Sequence, residues 1–93
     1  MSLSILKIPF NGWKNNYQLS NGRVEAVITA DVGPRILRFA FQGGRNVLCE
    51  MPGQQGKTGE KDWQIRGGHR LWIAPEAKPW SYELDNGPVQ VTP

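Results

Sequence analysis

The chain has 93 residues, with 11 Lys and Arg against 8 Asp and Glu for a formal net charge of +3, one cysteine and one histidine. That length holds one small domain, which buries only about 60–65% of the surface its unfolded form exposes. One cysteine excludes an internal disulfide, one cysteine with one histidine excludes a zinc site, and basic residues scattered from Lys7 to Lys78 without a run argue against nucleic acid as a partner.

The N-terminal MSLSILKIPF is a short apolar patch interrupted by Lys7 and Pro9, with no small-residue cleavage site behind it, so it does not read as a signal peptide. No segment approaches the roughly 20 apolar residues of a membrane helix. With a lone thiol that fits a reducing setting, a soluble cytoplasmic protein without a membrane partner is expected.

Turn signals dominate the chain beyond Phe10. Asn-Gly at 11–12, 21–22 and 86–87, and Gly-Gly at 43–44 and 67–68, supply residues that tolerate the positive φ of tight reversals. YQLS, then NG, then RVEAVIT predicts a hairpin with Val24, Ala26 and Ile28 on one face and Glu25 and Val27 on the other. PRILRFAF, QGGR and NVLCE predict a second hairpin, in which Leu37, Phe39 and Phe41 share an apolar face and Ile36, Arg38 and Ala40 a mixed one. MPGQQGKTGEKDW, polar and glycine-rich, predicts a long loop. Its Gly-Lys-Thr is not a phosphate loop, because the Walker spacing asks for glycine where Met51 stands and no helix comes after it.

IRGGHRLWIAPE, residues 65–76, concentrates the polar chemistry of the chain. GHRLWIA predicts a strand with His69, Leu71 and Ile73 pointing one way and Arg70 and Trp72 the other. WSYELDNGPVQV predicts a third hairpin, whose return strand PVQVT has no further chain to cover its outer edge, so self-association through exposed β edges is expected. Seven prolines and eleven glycines leave no twelve-residue window with a helical apolar stripe. The predicted class is all-β, built of antiparallel hairpins, in a single domain over residues 1–93.

Arg70 beside Trp72 suits a sugar, the indole stacking on the ring and the guanidinium donating to hydroxyls or a phosphate. An isolated Arg-x-Trp is nonetheless more often an arginine lying over a half-buried indole. His69 is the side chain suited to proton transfer near neutral pH, although beside Leu71 and Ile73 it more often reads as a core or rim histidine. Glu76 comes after Pro75, and seven residues of strand would hold it roughly 20 Å from His69 unless the chain turns there. Trp13, Trp63, Trp72 and Trp80, three of them close to Arg66, His69 and Arg70, describe a carbohydrate surface as well as they describe a core.

YQLSNGRVEAVITADVGPRILRFAFQGGRNVLCEMPG, residues 17–53, resembles the start of galactose-mutarotase-like proteins, the aldose 1-epimerase superfamily. IRGGHRLWIAPE is similar to the Arg-Gly-Gly segment of their sugar-phosphate epimerase branch. With TADVGPRI, GKTG and GGHRLW in that order, about residues 17–92 most closely resemble an uncharacterised bacterial group of that superfamily, DUF4380. The resemblance implies an antiparallel β-supersandwich that binds a sugar across a concave sheet. It also implies ring-opening chemistry in which a glutamate takes the anomeric proton while a histidine protonates the ring oxygen. Arg66 matches the arginine of the Arg-Gly-Gly segment, a substrate or phosphate ligand in that branch, and His69 falls near a substrate-binding histidine. Family domains are roughly three times as long, and their catalytic Glu/His pair lies in a part without counterpart here. The chain is therefore expected to be an N-terminal fragment or a short form of a larger sandwich.

These readings predict a carbohydrate-binding domain for a sugar or sugar phosphate. His69 is the candidate catalytic group, Arg66, Arg70, Trp72 and Glu76 are candidate substrate ligands, and Arg35 is an outer contributor. No cofactor and no metal is expected. An active chain would be an aldose or sugar-phosphate mutarotase. The alternative is a non-enzymatic β domain acting as an assembly or interaction module.

Overall fold

The computed structural model describes residues 3–60, 64–70 and 87–92. Strands β1 (Ser4–Phe10), β2 (Trp13–Ser20), β3 (Val24–Thr29), β4 (Arg35–Phe41) and β5 (His69–Arg70) form one open antiparallel sheet in chain order. The protein is all-β, as its turns predict. The second sheet of a supersandwich is not found among the described residues, and no described helix is long and apolar enough to cross a membrane.

The first two reversals arise from the Asn-Gly pairs. Asn11 and Gly12 take φ values of 49° and 95°, the two left-handed positions that a two-residue hairpin turn requires. At the second, the Asn21 side-chain oxygen accepts from the N–H groups of Arg23 and Val24 at 2.9 and 3.0 Å. Residue pattern alone does not reveal strand β1, because Pro9 breaks its run. Proline is tolerated here because β1 is an edge strand, and the register with β2 shifts between Ile8 and Phe10.

The second expected hairpin forms its turn, with the Gly44 N–H donating to the Phe41 carbonyl at 2.7 Å, but not its return strand. Residues 45–49 return beside β4 without making a strand. Asn46 explains the difference: its amide accepts from the Phe39 N–H at 3.1 Å and donates to the Leu37 carbonyl at 2.9 Å, occupying β4 groups that a ladder would use. The partner of β4 beyond β3 is instead β5, with Arg35 opposite Arg70 and Ile36 opposite His69. Of the third expected hairpin, residues 80–86 lie outside the described residues, and 88–92 form no strand. The Gly33 N–H donates to Gly87 and the Val89 N–H to Ala30, at 3.0 and 2.8 Å.

Register sorts the side chains into two faces. Ile5, Leu19, Ala26 and Phe39 stand in one row across β1 to β4, with Val24 and Phe41 beside it; Tyr17, Ile28, Ile36 and His69 form the next row. The opposite face carries the row Asn16, Thr29, Arg35 and Arg70. A bulge between Val27 and Ile28 leaves Leu37 as the extra residue of β4, so Leu37 is buried while Phe39 and Phe41 stay out. The expected common face of these three residues is therefore broken.

Burial does not sort by polarity: the covered face holds Val27 and Ala40 beside polar residues. Asn16 and Thr29 are fully buried and Arg35 is 1% exposed, whereas Phe39 and Phe41 are 49% and 76% exposed. Most buried polar groups in folded chains are hydrogen-bonded. Accordingly, Asn16 donates to the Ile8 and Trp13 carbonyls at 3.1 and 2.8 Å, and the Thr29 hydroxyl accepts from the Asp31 N–H at 3.1 Å. The apolar core is small: Trp13, Val32 and Leu37, with Phe10 packed against them. Trp13, one of the four tryptophans considered for a sugar surface, is a core residue whose indole N–H donates to the Lys57 carbonyl at 3.0 Å.

Candidate functional site

Residues 64–70 owe their shape to three successive left-handed positions, Arg66, Gly67 and Gly68, at φ 57°, 96° and 73°. A Cβ on Gly67 would collide with the Cys49 carbonyl oxygen, and one on Gly68 with that of Ile36. The glycine pair is thus the point where this segment presses between residue 49 and β4. The Gly68 N–H donates to the Cys49 carbonyl at 2.8 Å, and Glu50 bridges Gly67.

Arg66 is a non-glycine residue in the left-handed region, which costs about 1 kcal/mol or more. Its fixed position is held from every side. Its N–H donates to Gln54 at 2.6 Å, its carbonyl accepts from Gln55 at 2.7 Å, and its guanidinium meets both Glu60 carboxylate oxygens at 3.0 and 2.9 Å. A further bond at 2.7 Å reaches the Lys57 carbonyl. The guanidinium thereby closes the 54–60 loop onto the 65–70 segment through a bidentate ion pair.

Arg35 works in the same region. From β4 it donates to the Ile65 and Gly67 carbonyls at 2.6 and 2.8 Å, and it stands opposite Arg70, which is also buried. The structure therefore brings together Arg35, Arg66 and Arg70, three of the six candidate site residues. His69 is placed apart: it is exposed, belongs to the opposite face from Arg70, and lines a cavity of about 280 Å³ with Ile28, Pro34, Arg35 and Ile36. Trp72 and Glu76 lie outside the described residues, as do Trp63 and Trp80. Among the described residues no group of three or more His, Cys, Asp or Glu could hold a metal ion.

Two carboxylates that the sequence does not single out have lowered pKa values. For Glu60 the hydrogen bond from Arg66 is the main cause and outweighs desolvation. For Asp31 desolvation pushes upward, but the Asn15 side chain, the N–H groups of Asn15 and Lys14 and the charge of Lys7 together hold it below its ordinary value. A depressed folded-state pKa contributes stability that is fully present above the unfolded value and is lost as pH falls through the folded one. The urea midpoint should therefore fall as pH drops below about 4. Glu60→Gln should start from a lower midpoint at neutral pH and fall less steeply; parallel curves for parent and variant would show that the Arg66 pair does not survive in solution.

No family model matches the chain, and searches of curated proteins and of solved structures also return no match.

Proposed function

We propose that the chain is an association module that presents the apolar face of its sheet to another protein surface. The observation that supports this reading is the exposure of an aliphatic and aromatic row across four strands, while the opposite face buries Asn16, Thr29 and Arg35 together with Val27, Leu37 and Ala40. Soluble monomers rarely leave a contiguous apolar patch of several strands uncovered. Two shallow hollows lie on this face, one bordered by Leu3, Leu19, Val24, Ala26 and Phe39 and the other the cavity beside His69. Meanwhile Arg35 and Arg66, first considered as ligands for a substrate, are engaged with backbone carbonyls and Glu60.

A sugar-binding role draws on the resemblance to mutarotase-like proteins and on the cavity beside His69. A single experiment separates the two readings. Anilinonaphthalene sulfonate should fluoresce with the dilute parent chain and stay dark with the Phe39→Lys, Phe41→Lys double variant, whose fold should be intact because both side chains are already exposed. A parent chain that is monomeric and stays dark would sink the association reading. Dye displacement by glucose 6-phosphate, abolished in His69→Ala, would favour the sugar.

A further inference from the structure

We propose that the occupant of the apolar face is the same face of a second copy of this chain. The proposal rests on the association reading above and gives it a partner.

Self-complementarity is the first argument. Two sheets packed face to face lie about 10 Å apart with nearly aligned strands. A two-fold axis along the strands, midway between β2 and β3, sets β4 of one copy over β1 of the other and preserves each register row. Phe39 then covers Ile5, and Leu19 covers Ala26, so each large side chain meets a smaller one. In the neighbouring row, Phe41 covers the position of Leu3, two residues before Ile5. These same residues, Leu3, Leu19, Ala26 and Phe39, border the hollow that such a contact would fill. The contact is isologous and closes on itself, as dimeric interfaces do.

Charge agrees with it. Lys7, beside Tyr17, is the one formal charge in these rows, and it stands on the edge strand where its stem can carry the ammonium into water.

Sedimentation equilibrium across a concentration series tests the proposal on the parent chain, on Phe39→Lys and Phe41→Lys in β4 and, on the opposite face of the sheet in the edge strand β1, on Leu6→Lys, with amide dispersion confirming each fold. The parent and Leu6→Lys should run at twice the chain mass. Each phenylalanine variant should raise the dissociation constant at least about 30-fold. A dimer that survives both phenylalanine changes and dissociates with Leu6→Lys would assign the contact to the β1 edge and overturn the proposal. A parent that stays monomeric while still binding the dye would also overturn it, leaving the association reading with a different protein as occupant. A monomer that binds no dye would end both.

Discussion

Gly67→Ala and Gly68→Ala should each abolish the folded state, whereas Gly22→Ala and Gly43→Ala should leave it standing. All four glycines have positive φ, between 72° and 96°, so the backbone penalty of an L-residue is common to them. What differs is the surroundings. Nothing lies within 4 Å of a Cβ at Gly22 or Gly43, whereas at Gly67 and Gly68 it would sit inside the contact distance of a backbone carbonyl. Those carbonyls belong to residue 49 and to β4, so no flexible side chain can yield. The exposed glycines should lose about 1 kcal/mol each, and the Gly67–Gly68 pair more than about 4 kcal/mol, a large part of the about 5–15 kcal/mol that holds a small domain together. Urea denaturation of the four variants decides it. Similar midpoints for all four would mean that the segment does not pack between residue 49 and β4.

Arg35→Leu should be the most damaging change at any strand position of the sheet. The residue is 1% exposed, and its guanidinium donates to two carbonyls of the Ile65–Gly67 turn. Leucine would leave both acceptors without that donor in a place water does not reach, at about 1–3 kcal/mol for each such group. For a domain of this size the melting temperature should fall by at least about 10 °C. Arg35→Lys keeps one donor group and should recover part of the loss. Hydrogen exchange gives the sharper test: in Arg35→Leu the Gly68 amide should exchange well before those of β2 and β3, and uniform loss of protection would contradict a local role for Arg35.

Both predictions concern residues whose meaning the sequence only partly disclosed. The β2–β3 hairpin was legible because Asn21-Gly22 stands between two alternating segments, a local code that no distant contact overrides. The return strand after β4 was misread because its outcome depends on Asn46, whose side chain satisfies the strand edge as a backbone ladder would. Alternation was read correctly along β3, but a period of two gives the faces without telling which one is covered. Arg66 drew attention as a ligand through the resemblance of its Arg-Gly-Gly segment, and Arg35 as an outer contributor; their use as posts for backbone carbonyls depends on loops distant in sequence. His69 and Arg70 were rightly placed on opposite sides of their strand, so the two serve different surfaces.

The polar row through Asn16, Thr29, Arg35 and Arg70 also bears on how the protein responds to temperature. Hydration of newly exposed apolar surface raises the heat capacity of unfolding, and hydration of polar surface lowers it. A chain of 93 residues ordinarily shows an increment of about 1.2 kcal/mol/K. Here unfolding wets polar groups that were dry and gains little from phenylalanines that were already wet, so the increment for the single chain is smaller and its stability curve flatter. Under the proposed association, covering the apolar face would return the missing heat capacity, so association, more than folding, would be the temperature-sensitive step.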